Sequence, residues 1–117
     1  MVVCTLSDTF IRSAERSWET VGDGVRRQIL GHGPDLMMVS VMFDAKAIGA
    51  LHHHPHRQVT YVANGRFEVS IAGEQRELGP GDSFFVAAEL EHGVRALTAG
   101  TLVDVFTPSR QDFLSPR

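Results

Sequence analysis

Glycine and proline divide this chain into segments that are short for helices and typical of β-strands. The 11 glycines and 5 prolines are spread along the whole sequence. Residues 66–71 show the clearest pattern between them, because Phe67, Val69 and Ile71 alternate with more polar residues. Alternation of this kind predicts a strand with one buried and one solvated face. The pattern therefore favours an all-β fold built from many short strands.

Seven more segments predict strands, and turn signals separate them. The strongest turn is at residues 79–82, where two glycines and a proline supply backbone angles that other residues resist. At least eight short strands in 117 residues favour a sandwich or a small barrel. The other predicted strands are residues 25–30, 36–43, 59–63, 75–78, 83–88, 92–97 and 101–106.

The segment before these strands has a different pattern. Apolar residues between Phe10 and Trp18 have the spacing of one helical face, and Ser7 or Asp8 is a suitable cap. We expect a short helix here, or alternatively an arm that packs across the sheets.

The length of the chain suits one domain. A chain of 117 residues buries enough surface to fold without a disulfide or a structural metal. We therefore expect a single domain over residues 1–117, with an N-terminal arm at 1–24, a barrel at 25–107 and a C-terminal tail at 108–117.

Charge and composition exclude several classes of partner. The 11 basic and 14 acidic side chains give a net charge of −3, which argues against binding to nucleic acid or to an acidic membrane. No stretch approaches the ~18 consecutive apolar residues of a membrane span, and the first residues lack the pattern of a secretory signal. The single cysteine, Cys4, excludes an intramolecular disulfide and receives no role. We expect a cytoplasmic protein.

Four of the six histidines lie in one pentapeptide, HHHPH. His52, His54, His56 and Gln58 share one parity, so in an extended strand they would point to the same side. Neutral imidazoles arranged in this way are ligands for a divalent metal. Two ligands rarely suffice, and His92, at the start of a predicted strand, is the best candidate for another. A solvated loop and a metal-free, pH-responsive patch are the alternatives.

Two motifs in the sequence resemble those of the cupin superfamily. They are HxH(x)3Q(x)6G, which begins at His52, and G(x)10H, which ends at His92. Cupins are double-stranded β-helix (jelly-roll) barrels that hold one metal ion at the centre of the barrel. The resemblance implies this fold here, and it places His56 behind the metal ligands or in the pocket wall. The ligands that it implies are His52, His54, Gln58 and His92.

The sequence departs from the cupin pattern at four positions. Gln58 stands where glutamate is commonest, and Ala87 stands where proline is expected. Lys46 and Glu89 stand where glycine is expected. These departures affect the turns and leave the implied ligand set intact.

A closer resemblance covers nearly the whole chain. Residues 24–30 (GVRRQIL), the histidine cluster and residues 104–113 (DVFTPSRQDF) are similar to the KdgF-type pectin-degradation cupins. That family converts cyclic 4,5-unsaturated uronates, released by polysaccharide lyases, into linear keto sugars. The resemblance implies the same reaction here, on a sugar acid from pectin or alginate. It also implies a catalytic trio in D-x-F-(x)3-R spacing, formed by Asp104, Phe106 and Arg110.

The cofactor implied by this resemblance is one divalent metal ion. Nickel, zinc, iron and manganese all accept imidazole ligands, so the sequence does not choose among them. Two other functions compete with uronate linearisation: a metal-dependent cupin dioxygenase and a non-catalytic sugar-binding module.

The remaining expectations concern assembly. We expect a homodimer that pairs through edge strands and an exchanged N-terminal strand, because an exposed edge favours pairing. Arg26 and Arg27 are interpreted as structural residues, for which acidic groups of a neighbouring subunit are the candidate partners.

Overall fold

Two antiparallel β-sheets face each other in the computed structural model, which describes residues 6–114. The strands are β1 Glu19–Gly22, β2 Val25–Gly33, β3 Leu36–Phe43, β4 Ile48–His52, β5 Arg57–Asn64, β6 Phe67–Ile71, β7 Glu74–Leu78, β8 Ser83–Val86, β9 His92–Ala96 and β10 Gly100–Thr107. The larger sheet has the order β1-β2-β3-β10-β5-β8, and the smaller has the order β4-β9-β6-β7. Strands far apart in sequence, such as β3 and β10, are neighbours, which is the connectivity of a jelly roll. The all-β, jelly-roll prediction is confirmed.

The eight predicted strands are all present, with ends that differ by a few residues. β1 and β4 are additional. Every residue of β1 is exposed, and β4 is exposed at four of its five positions. Neither strand has a buried face, so neither has the alternation of apolar and polar residues that predicts a strand from sequence.

The segment before β1 is an arm that crosses the outer face of β2. It contains one 3-10 turn, Ser13–Glu15. The amide of Gln28, in β2, accepts a hydrogen bond from the Ser13 hydroxyl at 2.7 Å and donates one to the Ser13 carbonyl at 2.9 Å. Phe10 is 87% exposed, so a longer helix would have no surface against which to bury its apolar face. The expected helix is therefore reduced to one turn, and the arm alternative describes the rest.

Apolar side chains from both sheets fill one end of the sandwich. Phe67 is fully buried and meets Phe43 edge to face, with ring centroids 5.3 Å apart. Val69 is buried and Ile71 packs against the same cluster, which confirms the predicted inward face of residues 66–71. The other buried members of this cluster are Val25, Val62, Ala96 and Leu102. Each of the larger side chains contributes about 1.5–3 kcal/mol of hydrophobic stabilisation. A second, smaller cluster of Met37, Val39 and Phe106 lies toward the other end, beside the polar groups.

The chain continues beyond the last strand into a short helix, α1 Gln111–Leu114. Phe113 of this helix packs edge to face on Phe106 of β10, with ring centroids 5.8 Å apart. Part of the predicted tail is thus attached to the sandwich. No helix within residues 6–114 is long and apolar enough to cross a bilayer, and Cys4 lies outside the described residues.

Two departures from the cupin sequence pattern keep the backbone conformation of glycine. Lys46 has a φ of 72° and Glu89 has a φ of 65°, both in the left-handed region. The motif glycine Gly65 also has a positive φ, 81°, and a Cβ there would lie 2.6 Å from the carbonyl oxygen of Ala99. A left-handed conformation costs an L-residue about 1–2 kcal/mol. The turns are therefore preserved at Lys46 and Glu89 at some cost in stability.

We expect Glu89→Gly to raise the melting temperature by about 2–5 °C, because glycine adopts this conformation without the steric cost. The ion pair of Glu89 with His53 is exposed on both sides and contributes little. Glu91→Gly is the matched control, since it removes the same charge at an exposed residue outside the left-handed region and should lower the melting temperature. Scanning calorimetry gives both values, and a Glu89 variant no more stable than the parent would contradict the expectation.

Candidate metal centre and active site

Three histidines converge between the two sheets at the end away from the apolar cluster. His52 ends β4 and lies directly opposite His92, the first residue of β9, and their ring centroids are 4.3 Å apart. The His54 ring centroid is 4.7 Å from that of His92 and 5.5 Å from that of His52. One nitrogen of each ring lies within 4.8 Å of those of the other two. This arrangement suits a metal ion.

The histidines do not lie on one extended strand, and this part of the sequence prediction is wrong. β4 ends at His52 and β5 begins at Arg57, with a bend between them. His54 is in the bend, and the backbone N–H of Glu89 donates to its carbonyl at 2.8 Å. His52 and His54 do lie on the same side, but not because they alternate along one strand. The chain turns inward after His52 and brings the His54 ring close to that of His92.

Backbone carbonyls orient all three rings. Each Nδ1 lies 2.8–2.9 Å from a carbonyl oxygen two residues away, so a neutral ring donates from Nδ1 and directs the Nε2 lone pair at the other rings. The carbonyls belong to Ala50 for His52, His56 for His54 and Leu90 for His92. Burial lowers the pKa of His92 to about 4 and also lowers the pKa of His54, so both are neutral at physiological pH.

The atoms that face the centre lack suitable protein partners. Among the residues that the structure describes, 6–114, the buried Nε2 of His92 has no hydrogen-bond partner. The Nε2 of His54 lies 3.1 Å from the Oε1 of Gln58. The Gln58 amide is held in this orientation because its Nε2 donates to the Thr60 hydroxyl at 2.8 Å. Two acceptors therefore face each other, which is unfavourable unless a cation lies between them. Three imidazoles and one amide oxygen fit a divalent transition metal.

A hydrogen-bond chain links this donor set to Asp104. Thr60 is fully buried, accepts from Gln58 and donates to the Oδ1 of Asp104 at 2.6 Å. The Gln58 amide nitrogen makes a longer contact, 3.4 Å, with the same oxygen. Within residues 6–114 no hydrogen bond engages the Oδ2 of Asp104. Burial raises the pKa of Asp104 to about 6, although the Thr60 hydrogen bond and the positive charge of Arg110 oppose the rise. Asp104 is thus suited to exchange a proton near neutral pH.

Sequence reasoning missed Thr60. Asp104 and Thr60 are direct cross-strand neighbours of β10 and β5, so their side chains lie side by side on the inner face. The parity that Thr60 shares with Gln58 is visible in the sequence, but the register between β5 and β10 is not.

These residues open onto a cavity of about 270 Å³, the central cavity. This volume is slightly below the range of about 300–1,000 Å³ of typical ligand pockets, so it suits a monosaccharide better than an oligosaccharide. The polar side chains that line it are Arg27, His52, Gln58, His92, Asp104 and Arg110. The apolar wall includes Val39, Val41, Phe106 and Phe113.

The three residues of the implied catalytic trio lie together at this cavity. Phe106 is 2% exposed, and its ring packs edge to face on that of His54 at 5.8 Å. The guanidinium carbon of Arg110 lies 5.1 Å from the Phe106 ring centroid. Both carboxylate oxygens of Asp112 accept from Arg110, at 3.0 and 2.8 Å, and this contact lowers the pKa of Asp112. Phe106 therefore contacts both His54 of the cluster and the guanidinium of Arg110.

His56 lies outside the three-histidine cluster. Its ring packs on those of His54 and Phe106, at centroid distances of 5.6 and 6.5 Å. Burial, together with the charge of Arg110, lowers its pKa. Its backbone carbonyl accepts a hydrogen bond from the Nδ1 of His54, so His56 helps to orient the His54 ring without belonging to the cluster.

Arg27, interpreted from the sequence as a structural residue, also belongs to the site. It pairs with Glu19 of its own chain at 2.9 Å, and its side chain lines the central cavity. β2 places Val25 and Arg27 on the same inward face. That parity is present in the sequence and could have identified Arg27 as a residue of the site.

Two facing antiparallel sheets with a three-histidine cluster at one end define a cupin with a candidate metal site. Residues 39–106 match the cupin domain family. The chain is 48% identical over 102 residues to the pectin degradation protein KdgF of Dickeya dadantii (strain 3937), covering 86% of this chain and 93% of that protein. The chain therefore belongs to the cupin family and, within it, to the KdgF family.

Solved structures agree with this assignment. An RmlC-like cupin from Shewanella frigidimarina NCIMB 400 superposes with a TM-score of 0.90 at 42% identity, covering 92% of this chain and 97% of that one. KdgF from Halomonas sp. superposes with a TM-score of 0.87 at 41% identity, covering 92% and 99%. The similarity therefore includes nearly the whole of both relatives.

We expect His92→Ala to weaken divalent metal binding by more than about 100-fold, because it removes a buried nitrogen that points at the centre of the cluster. His53→Ala is the matched control: His53 lies between two of the clustered histidines, but its side chain is 66% exposed. Equilibrium dialysis against zinc or nickel, followed by elemental analysis, measures the bound ion. Equal loss in both variants would show that the cluster is not the site.

Proposed function

We propose that this protein linearises 4,5-unsaturated uronate monosaccharides from pectin or alginate breakdown, by opening the sugar ring and converting the resulting enol to a ketone. The observation that carries the proposal is the position of Asp104. It is hydrogen-bonded to Thr60, lies next to the donor set through Gln58, and lines the same small cavity as Arg110. The family relationship to KdgF, a pectin degradation protein, supports the same reaction.

The charge of the site matches an anionic sugar. None of the four donors of the implied metal site carries a negative charge: His52, His54, Gln58 and His92. A divalent cation bound there keeps its full charge and supplies Lewis-acid polarisation of sugar oxygens. Arg110 adds a second positive charge at the cavity. Its planar guanidinium fits a carboxylate, and its Nη1 is not used by Asp112. The cation and Arg110 together therefore favour the binding of an anionic sugar.

Asp104 is the proton carrier in this proposal. Its Oδ2 accepts the proton of the anomeric hydroxyl as the bond between C1 and the ring oxygen breaks, and C1 becomes an aldehyde. The ring oxygen takes up a proton and becomes the enol hydroxyl. That hydroxyl then loses its proton while C4 gains one, which gives the ketone with no change in oxidation state. Phe106 forms an apolar wall at this part of the cavity.

We expect Asp104→Asn to lower kcat on unsaturated galacturonate by about 10²–10⁴-fold, because the amide keeps the shape of the carboxyl but carries no exchangeable acid. The loss of ultraviolet absorbance of the unsaturated uronate follows turnover. Bound metal should remain at the wild-type level. Asp35→Asn, which removes the same charge in the exposed turn between β2 and β3, should leave turnover unchanged.

A second substitution tests the same assignment from the other side of the hydrogen bond. Thr60→Val removes the donor to Oδ1 and should also lower kcat, whereas Thr60→Ser should retain most of it.

Undiminished turnover in the Asp104→Asn variant would rule out the role of Asp104 as proton carrier. Consumption of oxygen during turnover would instead favour a dioxygenase, and binding of the sugar without turnover would favour a non-catalytic module.

We also propose that the protein is a homodimer, which pairs through a sheet face and not through the edge strands expected from the sequence. The outward face of the larger sheet carries exposed apolar side chains on β3, β5 and β8, including Met38, Val59, Tyr61 and Phe85. A contiguous apolar surface of this kind is typical of a protein interface. Light scattering after size exclusion should give twice the mass of one chain, and Tyr61→Lys should shift the equilibrium toward the monomer. A monomeric wild-type protein would refute the dimer.

A further inference from the structure

Arg27 presents unused hydrogen-bond donors to the central cavity. Its side chain is only 11% exposed although it carries a permanent charge. Within residues 6–114 its one hydrogen bond runs from Nε to Glu19 at 2.9 Å. The Nη1 and Nη2 groups therefore have no protein acceptor in this range. A guanidinium buried to this degree is normally paired through several of its N–H groups.

The position of Arg27 is fixed by an aromatic ring. Its guanidinium carbon lies 3.7 Å from the ring centroid of Phe113. Arg110 lies 4.2 Å from the same centroid. Two guanidiniums are thus held on one ring at the cavity wall, in a geometry that stabilises each cation without using its N–H donors.

The two arginines differ in which N–H donors remain free to bind a ligand. Asp112 occupies Nε and Nη2 of Arg110 with both of its oxygens. Glu19 occupies only the Nε of Arg27. The edge of Arg27 formed by Nη1 and Nη2 is a planar fork that fits a carboxylate with two parallel hydrogen bonds.

We propose that Arg27 is a specificity-determining residue that binds the carboxylate of the sugar and makes the protein select acidic over neutral sugars. That the substrate is a sugar acid rests on the proposed function. That Arg27 binds a carboxylate rests on its burial and its unused donors. Arg110 then contacts the carboxylate from its remaining Nη1 edge or supports the shared ring, while Arg27 provides the fork.

The test compares binding of galacturonate with binding of galactose, two sugars that differ at the carboxylate. Metal-loaded wild-type protein should bind galacturonate more tightly than galactose in isothermal titration. Arg27→Met keeps an unbranched apolar chain against Phe113 and removes the donors. It should weaken galacturonate binding by about 10-fold or more and leave galactose binding within about threefold. Arg26→Met is the matched control, because Arg26 is the adjacent residue on the exposed face of β2.

Kinetics provide an independent readout. Arg27→Met should raise KM for unsaturated galacturonate while kcat changes little, since the carboxylate makes and breaks no bond in the reaction and the fork therefore binds substrate and transition state alike. Arg27→Lys keeps the charge but not the fork, and it should show a smaller loss of galacturonate binding. It also replaces the methionine variant if that variant does not fold.

Three results would overturn the proposal. They are an equal loss of both sugars in Arg27→Met, an equal effect of Arg26→Met, and unchanged galacturonate binding in both Arg27 variants. Failure of the proposed function would look different. Wild-type protein would then leave unsaturated galacturonate unchanged, and the comparison of the two saturated sugars would still decide the role of Arg27.

Discussion

Three backbone carbonyls determine what this site can bind. They hold the Nδ1 atoms of His52, His54 and His92, and so direct three lone pairs at one point. Rings free to rotate would turn their acceptors toward water or toward N–H donors. Because the rings are held in this orientation, a positive charge at the centre relieves the mutual repulsion of the acceptors. The preference for a cation is therefore built into the backbone around the site as much as into the side chains.

The sandwich divides its interior between stability and chemistry. One end is filled by aromatic and aliphatic side chains around Phe67, and the polar groups of the cavity lie toward the other. β10 joins the two, because Leu102 belongs to the apolar cluster and lines the cavity floor shared with Asp104 and Phe106. One alternating strand thus links the packed core to the proton-carrying carboxyl, which holds that carboxyl in place despite the energetic cost of its burial.

The sequence predicts the strands well because their inner faces alternate, as at Phe67 and Val69. It also identifies the histidines that converge, because motif spacing reflects the fixed lengths of strands and turns. It does not predict the bend at His54. An extended strand and a bend would both bring His52 and His54 to the same side, so the spacing of the histidines does not distinguish the two conformations. The sequence does not identify Thr60 and Arg27 as residues of the site, for another reason. Their importance depends on which strand lies beside them and on which ring lies above them, and neither is a local property of the sequence.

The same limit explains the turns at Lys46 and Glu89. Neither residue signals a left-handed backbone, yet both adopt one because the surrounding sheets impose it. Local preference is here overridden by tertiary packing, as is usual when several strands determine the path of one loop.

The ring that carries both arginines lies after the last strand. The strands found within residues 6–114 all end by Thr107, and Phe113 lies beyond them. The sheets and part of the cavity wall are therefore encoded by separate stretches of sequence, so substitutions after Thr107 can alter what the cavity recognises without changing any residue of a strand.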